Sequence, residues 1–187
     1  RVEYLKTNKV DLILANFTVT PERAEAVDFC EPYMNVALGS VSHKSHVITS
    51  LDDVKDEQVI VISGTTAETY LTANYPNIKQ QKFDTYAAAK TAFENDKNAL
   101  WVNDNTEVIA FANGDLAEYV VGIETLGNPD TIAPAVAKGN ESLLTWINDE
   151  MVKLGSQSFF HGAYEKTLLD TYGADYEDTL VVEPGQN

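Results

Sequence analysis

A chain of 187 residues, 44% of them hydrophobic, is long enough to bury a sizeable core as one larger domain or two small lobes. Its 29 acidic residues against 13 basic ones give a formal charge of −16, which disfavours binding to nucleic acid or to an acidic membrane surface. The single cysteine excludes an internal disulfide and a cysteine-rich zinc site, and no run reaches the roughly 18 apolar residues of a membrane span.

The chain opens on a helix-like segment, Arg1 to Asn8. The apolar run from Val10 to Leu14 predicts a strand over 10–16, which delivers the chain to Asn16-Phe17-Thr18-Val19-Thr20-Pro21-Glu22-Arg23. Thr20 suits an N-cap, Pro21 the first helical position, and Glu22 the positive end of the helix dipole. Arg23 then projects from the first turn, beside backbone N–H groups that have no partner within the helix. A planar guanidinium there suits a carboxylate, which it grips with two parallel hydrogen bonds. The competing reading is a surface arginine on an ordinary strand–turn–helix. Phe17 lies within this segment and is a candidate to touch a ligand. Cys30, before Glu31-Pro32-Tyr33, reads as a small buried filler.

Val36 to Val41 reads as a strand crossing between lobes. His43 and His46 fall in a polar connector and read as surface residues; with His161 they make no convincing metal set. Val59-Ile60-Val61-Ile62 reads as a buried strand running into Ser63-Gly64-Thr65-Thr66-Ala67-Glu68. Thr65 with Glu68 fits a capping box, and Gly64 lets the backbone come close to a ligand. This is a second strand-to-helix junction able to face an anion. Helix 66–74, a short strand near 79–83 and helix 85–95 follow, with Asp84 a candidate cap for the latter. Ala99-Leu100-Trp101-Val102 is a third strand and ends at Asn103-Asp104. Asp104 can pair with an ammonium beyond the strand's carboxyl end, or simply cap helix 105–112. A strand at 119–123 and helices at 141–154 and 157–171 complete the pattern, and the acidic tail 172–187 reads as an extended wrap or a disordered end. Two carboxylate clamps and one ammonium partner describe an α-amino acid.

The run from Asp11 to Tyr33, then Ser-Gly-Thr-Thr at 63–66 and Val-Asn-Asp at 102–104, resembles the polar amino-acid-binding proteins of ABC importers, the extracellular solute-binding proteins of family 3. Ile132 to Gly139 resembles the family's return strand, and Leu143 to Asn148 the helix after it. The resemblance implies an α/β fold of the periplasmic-binding-protein type II, two lobes joined by two crossing strands. Lobe one would comprise 1–38 and 130–187, and lobe two 39–129. Family members open with further βαβ units, a signal peptide and often a lipid-attachment cysteine, so the chain is expected to be a fragment with lobe one incomplete.

Carried over residue by residue, the resemblance makes Arg23 the holder of the ligand α-carboxylate, with Thr18 beside it. Asn16 offers its carbonyl to the ligand ammonium. Thr66 offers its N–H to the carboxylate from the other lobe, next to Thr65. Asp104 fixes the ammonium, and Ile62 and Ser63 border the side-chain pocket. The implied function is non-enzymatic: hinge closure on a polar amino acid or small derivative, without cofactor or metal, and delivery to a membrane ABC permease. The implied location is extracytoplasmic, either lipid-anchored at a Gram-positive surface through an anchor absent from this chain, or periplasmic. Cystine, glutamate or aspartate, glutamine and glutathione all remain open as ligands. The alternative is a dehydratase of the same fold acting on a prephenate-like acid, with Glu22 or Glu31 as the nearest candidate general acids. A sensor domain is a third reading.

Overall fold

The structure, a computed structural model, describes residues 1–186. The chain divides into two compact units, one of Arg1–Val36 with Asp130–Asn187, the other of Ala37–Pro129. Chain connections between them run inside two strands, β3 (Met34–His43) and β7 (Tyr119–Ile132).

The first unit is built on a small antiparallel sheet in the order β1-β8-β2, from β1 (Leu12–Ile13), β2 (Val27–Phe29) and β8 (Ala135–Ala137). Val136 sits opposite both Leu12 and Asp28 and is fully buried. The strand expected over 10–16 shrinks to Leu12–Ile13, the two residues that pair with β8, and Asn16 beyond it takes a left-handed conformation (φ +50°). Helix α1 (Val2–Lys6) places Leu5 against Ile13, Phe17 and Val27. Helix α2 (Pro21–Ala26) starts as its sequence dictates, with the Thr20 hydroxyl accepting from the Arg23 N–H. On the other side of β8, α6 (Glu141–Gly155) packs Ile147 and Met151 on Val136 and Cys30.

Helix 157–171 is broken into α7 (Phe159–Thr167) and α8 (Leu169–Tyr172). The tail is an ordered strap. A turn at 174–176 leads into α9 (Glu177–Leu180), then Val181 bridges Met34 and the Val182 N–H donates to the Tyr33 carbonyl. A Cβ at Gly155 would stand 2.2 Å from the Pro184 carbonyl oxygen, so the strap lies where only glycine admits it.

Glu183 fastens that strap to α7. Its carboxylate accepts the backbone N–H groups of Phe160 (3.3 Å) and His161 (2.8 Å) and the His161 Nδ1 (2.9 Å), while Asp178 lies 3.7 Å from Nε2. The hydrogen bond to Glu183, with the charges of Glu183, Glu177 and Asp178, holds the His161 imidazole above its ordinary 6.5 despite partial burial. A raised folded value means that this contribution is complete below about pH 6.5 and is lost as pH rises through the folded value. The melting-temperature advantage of the parent over His161→Gln should therefore be largest at about pH 5 and shrink towards pH 9. A difference independent of pH would contradict this.

The second unit carries a five-stranded sheet in the order β5-β4-β6-β3-β7, from β4 (Val59–Ile62), β5 (Gln80–Phe83) and β6 (Leu100–Asp104) with β3 and β7. The expectation of a largely parallel sheet holds for β4 with β5 and with β6, but β3 runs antiparallel to β6. Helix α3 (Thr66–Asn74) covers one face through Ala67 and Leu71. Helices α4 (Tyr86–Asn95) and α5 (Asn105–Gly114) bring Ala89, Phe93, Val108 and Ala112 onto Trp101 and Ile60. The cap of α4 is Thr85, whose hydroxyl accepts from Ala88; Asp84 is one residue too early to reach that N–H. His43 is no surface residue. It is 1% exposed, lies 4.4 Å from the Phe93 ring, and bonds the Phe93 carbonyl through Nε2 at 2.8 Å.

Candidate functional site

In the first unit, Asn16, Thr18 and Arg23 stand on one loop and the helix that follows it. Asn16 takes a left-handed conformation in the loop after β1, and Thr18 then bridges Ile132 and is buried. Arg23, half-buried, turns back over the loop so that Nη1 donates to the Thr18 carbonyl at 2.9 Å. The guanidinium carbon also lies 4.5 Å from the centroid of the Phe17 ring. Arg1 reaches the same loop, donating to the carbonyls of Ala15 (2.7 Å) and Asn16 (3.5 Å). Tyr33 also meets this loop: burial raises its phenol above the ordinary value, against a smaller lowering by the Asn16 backbone. The sequence reading missed Arg1 and Tyr33 as neighbours of the site, because neither stands at a motif position that implies contact with Asn16.

In the second unit, β4 delivers Ile62, half-buried, and Ser63, exposed, to the start of α3. Thr65 is the cap: its hydroxyl accepts from the Glu68 N–H at 3.5 Å and donates to the Ile62 carbonyl at 2.6 Å. The capping box is shifted by one residue. The Glu68 carboxylate accepts from Gly64 N–H (2.7 Å), not from Thr65, and pairs with Lys82 at 2.7 Å. These two contacts, Lys82 first, hold the Glu68 carboxyl below its ordinary value. The Gly64 N–H is thus occupied from within, and Gly64 (φ +76°) supplies the turn.

Asp104 ends β6 and occupies the N-cap position of α5, yet its side chain makes no capping hydrogen bond. It accepts instead from the Thr66 hydroxyl at 3.4 Å, which brings together the two residues read as the carboxylate and ammonium contacts of this unit. Asp104 thus holds the N-cap position of α5 without a capping hydrogen bond from its side chain. Asn105, next in line, accepts from the Ala37 N–H and ties α5 to β3.

Elsewhere, Cys30 is buried and its thiol is pushed up to about 11 by burial, then by the charges of Asp28 and Glu31, which suits an inert filler and not a nucleophile. Among the described residues no group of His, Cys, Asp and Glu could hold a metal ion, and no helix is long and apolar enough to cross a membrane. A cavity of about 340 Å³ in the first unit, between Tyr33, Met151, Phe160 and Tyr164, has an apolar lining unsuited to a zwitterion.

Residues 1–169 match the family model of the bacterial extracellular solute-binding proteins, family 3. The chain belongs to that family. Two solved structures are similar to this solute-binding protein at high identity. The cysteine-binding protein from Campylobacter jejuni is 48% identical with a TM-score of 0.92, over 98% of this chain and 74% of that one. The solute receptor for L-cysteine of Neisseria gonorrhoeae is 44% identical with a TM-score of 0.91, over 97% and 74%. These neighbours have the type II periplasmic-binding-protein fold. The ABC transporter glutamine-binding protein GlnH of Bacillus subtilis is 26% identical over 91% of this chain. The chain spans about 62% of the length of that relative.

Proposed function

We propose that this solute-binding protein is an extracytoplasmic receptor for L-cysteine that works with an ABC importer and catalyses no reaction. The observation that carries the ligand class is the gap in identity: 48% and 44% to two cysteine receptors, against 26% to the glutamine-binding relative. The local geometry of each unit supports the general chemistry. Arg23 would take the α-carboxylate with two parallel hydrogen bonds, helped by the Thr66 N–H. Asp104 would take the ammonium, with the Asn16 carbonyl as a further acceptor. Ile62 and Ser63 would border the thiol. Because the groups that complement one zwitterion are divided between the units, the ligand would favour whichever state lets it meet both sets, which is hinge closure driven by differential contacts. The dehydratase alternative gains nothing: Glu22 stands in the first turn of α2, where it complements the helix dipole.

Calorimetric titration under reducing conditions tests this, with L-cysteine, D-cysteine, L-serine, L-glutamine and L-arginine, and with cystine in a parallel series without reductant. L-cysteine should bind tightest. Replacing its thiol by the hydroxyl of serine should cost roughly 1–3 kcal/mol for desolvating an unpartnered hydroxyl, or about five- to 150-fold. Tighter binding of L-glutamine or L-arginine would sink the assignment.

A further inference from the structure

Phe17 was a candidate to touch the ligand, but its residue is only 1% exposed. It packs into the core with Leu5, Ile13 and Val27, and its ring lies 5.3 Å from that of Phe29 at an interplanar angle of 30°. Two guanidinium groups lie over that ring, Arg23 at 4.5 Å and Arg1 at 5.1 Å from its centroid. Two like charges sharing one ring repel each other, so the arrangement requires compensation. It comes from the ring's negative face and from carbonyl oxygens: Arg1 donates to Ala15 and Asn16, Arg23 to Thr18. The loop beneath is pinned as well. Thr18 bridges Ile132, and the Phe17 carbonyl accepts from the Ala133 N–H at 3.4 Å.

We propose that Phe17 is a positioning residue for ligand binding: its buried ring, steadied by the Arg1 clamp on Ala15 and Asn16, orders the Arg23 guanidinium before ligand arrives. This rests on the reading of Arg23 as the carboxylate group. An arginine side chain has large rotamer freedom, and fixing it in the free protein removes that entropy cost from the binding step. Phe17 therefore acts on affinity through Arg23 and without touching ligand.

A double-mutant cycle on the protein tests this, with L-cysteine affinity by calorimetry and the melting temperature of every variant. Phe17→Leu keeps an apolar side chain of similar reach and removes the ring face. It should weaken binding roughly five- to thirtyfold in the parent background, the size expected of a partly desolvated cation–π contact. In the Arg23→Gln background the same change should alter affinity less than about twofold, whereas a merely structural role would lower it equally in both. Should Phe17→Leu fail to fold, Arg1→Gln leaves the core intact and should weaken binding about two- to fivefold in the parent and not in Arg23→Gln. Equal losses in both backgrounds, or parent-like affinity for the folded single variant, would overturn the inference. Parent-like affinity of Arg23→Gln would overturn the role of Arg23 and this inference with it, and absence of L-cysteine binding by the parent would overturn the functional reading itself.

Discussion

Replacing Arg23 by glutamine is expected to lower the affinity for L-cysteine about a hundredfold or more, while the protein should still unfold cooperatively near the parent temperature. The size follows from what is left behind. Truncating one partner of a desolvated charge pair costs about 2–5 kcal/mol, much of it the penalty of a buried carboxylate with no counter-charge. Stability suffers less, because Arg23 is half-buried and its contacts in the protein are one carbonyl at 2.9 Å and one aromatic face among others. Asp104→Asn is the counterpart in the second unit. The amide keeps the shape and can still accept from Thr66, so its loss of affinity isolates the missing negative charge. Calorimetry on both variants checks the pair, and affinities within threefold of the parent would refute the assigned roles.

Phe93→Ala should be the most damaging single truncation for folding, at about 3–5 kcal/mol. Phe93 has no exposed surface. Its ring meets His43 at 4.4 Å, Phe111 and Tyr119 each at 5.6 Å and Trp101 at 5.9 Å, so removing it empties the centre of an aromatic cluster. The stacked His43 would also lose one face of its cage while its Nε2 remained tied to the residue-93 carbonyl. Urea denaturation followed by tryptophan fluorescence reports the effect, since Trp101 is buried in this cluster. A loss below about 1 kcal/mol would show that the cluster collapses around the gap.

The parts of this architecture that could be read in advance are those set by neighbouring residues. The run Val59–Ile62 followed by Thr65 and Glu68 carries its own strand, turn and cap, and β4, Gly64 and α3 appear where that chemistry places them. The same holds for Thr20-Pro21 at the start of α2. What failed depended on partners distant in the chain. His43 looked polar and exposed because its neighbours Ser42 and Lys44 are polar; Phe93, fifty residues away, buries it. The acidic, Gly/Pro-bearing tail left two readings open, an extended wrap or a disordered end, and distant partners decide for the wrap: Glu183 meets α7 and Val181 bridges Met34. The Glu68 carboxylate, which accepts from Gly64, also pairs with Lys82, a partner that arrives from β5.

Among the proposed binding residues, the loop of Asn16, Thr18 and Arg23 in the first unit and the pairing of Thr66 with Asp104 in the second lie at motif positions the sequence displays. The contacts of Arg1 and the burial of Phe17 do not, because they arise from how α1 and β8 fold against that loop.

The most direct test of the proposed function is a crystal structure of the protein grown with L-cysteine. One ligand molecule is expected, with its carboxylate on the Arg23 guanidinium and its ammonium on the Asp104 carboxylate. A ligand that touches only one of these two groups, or that occupies another site, would contradict the claim that the two units share one amino acid.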